Sequence, residues 1–124
     1  MSICNFLEAK LLDLTFNGTA YAGQATVYVK LHLGDPGEAC TSNAAVETTR
    51  ASVTFGAASG GAISNDGAAS WTAVSTTETV SHISIWDNST AGNALWYGAL
   101  SASKALTAGD NLTIAVGDLD ITLD

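Results

Sequence analysis

The sequence predicts an all-β fold: an antiparallel β-sandwich or jelly roll of seven to eight short strands with one short N-terminal helix. Three features of the chain carry this. Beyond residue 26 the apolar residues recur at a period of two, clusters of Gly, Ser, Asn and Asp separate the runs, and only the front segment has a helical period. A parallel sheet would need crossover helices, which this pattern does not supply.

The helix comes first. Ile3, Phe6, Leu7, Leu11 and Leu14 recur at three- and four-residue steps, Asn5 and Glu8 are spaced as an N-cap and its N3 partner, and Asn17-Gly18 is a stop signal. This places a short amphipathic helix at about residues 3–16. Val27, Val29, Leu31 and Leu33 then share one face of a strand, with Tyr28, Lys30 and His32 on the outward one. Gly34-Asp35-Pro36-Gly37 ends it, because proline pre-sets a turn and cannot donate to a ladder. Further strands are expected at Ala51 to Phe55, around Ile63, and at Trp71 to Val74, Val80 to Trp86, Leu95 to Leu100, Leu112 to Val116 and Leu119 to Leu123. In the last, Leu119, Ile121 and Leu123 face the core while Asp118, Asp120, Thr122 and Asp124 face water. The stretch from Ala57 to Ala69 reads as a loop, so residues 1–124 form a single domain.

Composition narrows the function. Four basic residues against twelve acidic ones give a net charge of -8, which repels phosphate backbones and anionic headgroups, so no nucleic-acid partner is expected. No apolar run approaches the ~20 residues of a membrane helix, and Glu8 and Lys10 stand where a secretion signal would stay apolar. A soluble chain without membrane insertion is expected. With no export signal, Cys4 and Cys40 make no disulfide framework, and spacing leaves open whether they meet.

A search for reactive chemistry finds little to assemble. His32 and His82 each alternate with apolar neighbours and read as sheet-face histidines; a metal site from His32, His82 and Asp35 would require neighbouring strands and has no supporting motif. Asp87 to Asn93 has oxygen ligands but not the acidic spacing of a calcium loop, and the same residue types suit a hairpin connection. Ser59 lies in no G-x-S-x-G elbow, and Gly60-Gly61 opens no helix. The reading is therefore no enzyme, no cofactor, no metal and no catalytic residue. Contact surfaces remain: the helix stripe of Phe6, Leu7, Leu11 and Leu14, and the adjacent Trp96 and Tyr97, which strand alternation turns to opposite faces.

Several runs, in order, carry a family resemblance: LLDLTFNGTAY, ATVYVKLHLGDPGEA, TTRASVTFGAASGGAISN and VSHISIWDNSTAGNALWYGALSASKALTAGDNLTIAVGDLDITL. From about Leu11 to Leu123 the chain resembles small virion proteins of tailed bacteriophages, commonly labelled tail-fibre or minor tail proteins. It departs from that pattern at two points: Gly34 precedes Asp35-Pro36 where an alanine or similar small residue is frequent, and Cys40 stands where a glycine is frequent. The resemblance implies a non-enzymatic structural subunit of the virion, assembled in the host cytoplasm and associated with the tail. Its partners would be copies of itself and neighbouring virion proteins. The alternatives are a capsid decoration (cement) protein bridging major capsid subunits, and a module binding a host-surface glycan or receptor.

Overall fold

The computed structural model describes residues 1–123, so Asp124, expected on the solvent face of the last strand, lies outside the described residues. The fold is an all-β antiparallel sandwich with one N-terminal helix. Its elements are β1 (Ser2–Ile3), α1 (Asn5–Phe16), β2 (Val27–His32), β3 (Ala51–Val53), β4 (Ala62–Ser64), β5 (Ala69–Trp71), β6 (Glu78–Trp86), β7 (Ala94–Leu106), β8 (Leu112–Ile114) and β9 (Asp120–Thr122). One layer is a five-stranded sheet in the order β1-β7-β6-β2-β3; β4 with β9, and β5 with β8, form two separate ribbons.

The main core explains the strand alternation. Val29 and Leu31 of β2 and Ile83 of β6 have no accessible surface and pack with Val53, Trp71, Val74 and Leu119. Burying side chains of this size stabilises by about 1.5–3 kcal/mol each, so this face sets the register. The Trp71 indole N–H reaches the Thr49 carbonyl at 2.8 Å, which satisfies its one polar atom. Leu119 and Ile121 are buried as their period predicts and Asp118 and Asp120 are exposed, but Leu123, expected inside, is 56% exposed beyond the end of β9.

Several boundaries differ from expectation, each for a tertiary reason. The helix starts at Asn5, and the N-cap is Cys4, not Asn5. The Cys4 N–H bonds the Leu95 carbonyl at 2.8 Å and Ile3 pairs with Trp96, so Cys4 is held extended and its own carbonyl accepts the Glu8 N–H at 3.1 Å. Pairing of β1 with β7 thus chooses the starting residue. Strand β1 itself was not expected, because two residues carry no period. Strand β7 runs six residues past Leu100, through Ser101, Ala102, Ser103 and Lys104, because β6 offers backbone partners as far as Glu78. The Asn17-Gly18 stop holds: Gly18 has φ +66, and the Asp13 carbonyl accepts the N–H groups of both Asn17 and Thr19.

Asp87–Asn93 is the hairpin connection between β6 and β7. Both Asp87 carboxylate oxygens accept hydrogen bonds from Asn93, at 2.7 Å from its backbone N–H and 2.9 Å from its amide. Gly92 lies at φ +73, where a Cβ would strike Asp87 Oδ1 and Asn88 Cβ.

Candidate functional site

The five-stranded sheet has a second face, and the chemistry-bearing residues gather there. Register places Tyr28, Lys30 and His32 of β2 opposite Trp86, Ser84 and His82 of β6, with Tyr97 of β7 beside Ser84. The outward placement expected for His32 is wrong. Its exposure is 0%, because the segment after β2 folds back over it: Leu33 N–H bonds the Asn43 carbonyl at 2.7 Å, and His32 bridges to Ala44. The Gly34-Asp35-Pro36-Gly37 turn makes that return, with the Gly37 N–H on Asp35 Oδ1 at 2.9 Å.

A burial of this kind requires every polar atom to find a partner. His32 Nδ1 lies 2.9 Å from the Ser42 carbonyl, which can only accept, so Nδ1 carries the proton. Nε2 is then the acceptor, and Ser84 Oγ donates to it at 2.8 Å. The Trp86 indole N–H donates in turn to Ser84 Oγ at 2.8 Å. The imidazole is neutral in this chain. Burial, with Lys30 and His82 nearby, holds its pKa below the usual range against the opposing pull of the Ser42 carbonyl.

Serine within hydrogen-bond reach of histidine is the geometry of an activated nucleophile. Here both residues have 0% exposure and Ser84 is shared with an indole, so the pair acts as a buried structural link. The strands of His32 and His82 are indeed neighbours, yet both nitrogens of His32 are engaged and His82 Nδ1 lies 2.8 Å from Ser81 Oγ. Among the described residues, no group of three or more His, Cys, Asp and Glu side chains is placed to hold a metal ion.

Trp86 joins this chain to the surface. The Arg50 guanidinium lies over its ring at 4.0 Å and donates to the Asn88 and Ala91 carbonyls at 2.8 Å each, clamping the hairpin loop. On the other side Trp86 packs with Cys4, Cys40, Ala94 and Tyr97 in a second small core. The two cysteine sulfurs touch at 3.3 Å.

The pH dependence of stability follows from these placements. His32 has a depressed folded pKa, so the unfolded chain binds more protons as pH falls and stability declines below about pH 6.5. Glu47 is likewise held below its usual value, chiefly by its hydrogen bonds with Thr49 and Ser75, and its contribution fades below about pH 4.3. Urea midpoints measured from neutral pH downward check both; His32→Asn should flatten the upper part of the slope, and an unchanged slope would contradict the neutral, buried imidazole.

Of the expected contact residues, Phe6, Leu7 and Leu11 are half-buried, with the Phe6 ring edge-on to Tyr21 at 6.3 Å between centroids, while Leu14 is 44% exposed; α1 itself lies against β7. Trp96 and Tyr97 are both half-buried and on opposite faces, Tyr97 against the cysteine cluster and Trp96 level with Ile3 and Ile85. Two residues went unnoticed. Leu12 (59% exposed) and Phe16 (82% exposed) are four apart, on the side of α1 away from that stripe, and no residue of the helix is buried. Their i, i+4 spacing was visible, but a search for one apolar stripe passes over a second.

No helix among the described residues is long and apolar enough to cross a membrane. A groove of about 520 Å3 between β7 and β8 has Leu31 and Ile83 at its floor and Ser101, Lys104, Thr113, Asp118 and Asp120 around it, with no histidine or cysteine in its lining to activate a hydroxyl or serve as a thiol nucleophile. Comparison with known families supplies what such geometry lacks. No curated protein matches the chain, but the family model described as Podophage GP4 fiber I protein gp80 matches residues 2–122, from β1 to the end of β9. That match covers nearly every described residue of an antiparallel β-sandwich, and it identifies a phage fibre-type structural protein: the chain belongs to the podophage GP4 fiber I protein gp80 family.

Proposed function

We propose that this protein is a tail-associated fibre or minor tail component that works by contact with copies of itself and with neighbouring virion proteins. The observation that carries this reading is α1, a helix with no buried residue that holds Leu12, Leu14 and Phe16 out to solvent. Phe6, Leu7 and Leu11 form the half-buried side of a helix that lies against β7. The outward residues are left for a second copy, an arrangement suited to the closed symmetric assemblies that repeated subunits form. Half-buried Trp96 and Tyr97 back the same end of the sheet, where β1 and the start of β7 meet.

Mass measurement in solution tests this. The wild-type chain should form a defined oligomer, and the double variant Leu12→Glu, Phe16→Glu should weaken it on the order of a thousandfold, from the apolar burial lost at two large side chains. Its melting temperature should stay near that of the wild-type monomer, because neither residue is in the core. A wild-type chain that is monomeric at every concentration, or a double variant that still assembles, would overturn the reading. Copy number per particle checks the placement: a tail component is present in far fewer copies than the major capsid protein.

A further inference from the structure

We propose that Cys4 and Cys40 are the two halves of a redox-closable cross-link that pins the start of α1 to the loop between β2 and β3. The residues are 36 positions apart, yet their sulfurs lie 3.3 Å from each other, with 1% and 0% exposure. Both backbones are already held for the bond. The Cys4 N–H is on the Leu95 carbonyl at 2.8 Å, and the Cys40 N–H is on the Gly37 carbonyl at 2.9 Å. A disulfide needs sulfurs about 2.05 Å apart, so the two must close by about 1.2 Å, a shift on the scale of a side-chain rotation.

The surroundings assign roles within the pair. Its hydrogen bond from Cys4 holds the Cys40 thiol below its ordinary range, with Lys30 adding to this against burial. The same hydrogen bond, together with burial, pushes Cys4 up, so Cys4 keeps the proton and Cys40 is the better thiolate. Access comes from the N-terminal side, where Cys4, Phe6, Glu38 and Trp86 line a surface cleft of about 310 Å3.

With oxidised glutathione as the oxidant, one thiolate of the pair attacks a glutathione sulfur, breaking its S–S bond and releasing one reduced glutathione. The second thiolate attacks the protein sulfur of that mixed disulfide and releases the other. Two protein thiols lose two protons and two electrons, and the glutathione disulfide takes up both. A virion component is made in a reducing cytosol and works outside it, so the bond would be open during synthesis and closed after release. Closure gives α1 a covalent anchor that its own packing does not provide. The inference does not depend on what α1 contacts.

The test uses the full wild-type chain, purified in dithiothreitol and transferred to oxidised glutathione. Intact mass should fall by two hydrogen atoms, no thiol should react with an alkylating agent in denaturant, and the melting temperature should rise by roughly 10 °C and return on reduction. Cys40→Ala should stop at a glutathione adduct on Cys4. Two alkylatable thiols after oxidation, a stable glutathione adduct on the wild type, a cross-linked dimer, or a lower melting temperature on closure would each overturn the proposal.

Discussion

Trp86→Ala is expected to destabilise the protein by about 4 kcal/mol, a large share of what a domain of this size has. Three separate groups lean on this indole. Its ring is only 9% exposed and fills the small core with Cys4, Cys40, Ala94 and Tyr97. Its face carries the Arg50 guanidinium at 4.0 Å and the Lys30 ammonium at 5.7 Å. Its N–H donates to Ser84, which holds His32. Truncation leaves a cavity and frees Arg50 from one side of its clamp on the hairpin loop. Trp86→Phe separates the contributions: it keeps most of the ring and the cation contact, loses one hydrogen bond, and should cost about 1–2 kcal/mol. Urea denaturation of the two variants checks the order. Equal losses would mean that the indole hydrogen bond, and not packing, dominates.

Asn65→Ala should cost about 3 kcal/mol, although it removes hardly any apolar surface. Asn65 is 2% exposed and spends its whole amide on the backbone. Its Nδ2 donates to the Gly67 and Ala115 carbonyls at 2.8 and 2.9 Å, and its Oδ1 accepts the Leu119 N–H at 2.9 Å. Its own N–H and carbonyl bond Leu119 and Gly117. One side chain therefore ties the end of β4 to the turn between β8 and β9. Alanine strands a buried N–H and two carbonyls; Asn65→Asp keeps the shape but turns a carboxylate oxygen toward those carbonyls, and should be at least as damaging. If Asn65→Asp were as stable as wild type, the amide's donor role would be refuted.

Asn65 also marks a boundary in what could be read from the chain. It falls in the Ala57 to Ala69 stretch, which reads as a loop because Gly, Ala and Ser dominate it. The strand expected around Ile63 is there as β4, but the stretch also holds the start of β5, which runs from Ala69 to Trp71 and not onward from Trp71. Segments this short have too few residues to show a period. Their pairing with β9 and β8 is a contact between distant parts of the chain.

The membership in a fibre family was legible in the order of the motifs, and the outward stripe of α1 was legible in part. Phe6, Leu7 and Leu11 are apolar at helical spacing, and they are half-buried in the fold. Leu12 and Phe16, left in solvent, carry the same local signature. A helix that is apolar on two sides does not reveal which side the domain takes, since that depends on where β1 and β7 deliver its first residue.

Local chemistry was enough to specify the β class, the inward face of β2 and β6, the helix stop at Asn17-Gly18 and the hairpin at Asp87–Asn93, because periods and turn preferences act within a few residues. Covering the opposite face of the sheet was a matter of long-range folding. A neutral His32 buried under the returning loop, Ser84 shared between imidazole and indole, and two cysteines in contact all depend on segments meeting from far apart along the chain. Polar residues are indifferent to burial once their hydrogen bonds are satisfied, so their pattern along a strand does not announce which face will be closed.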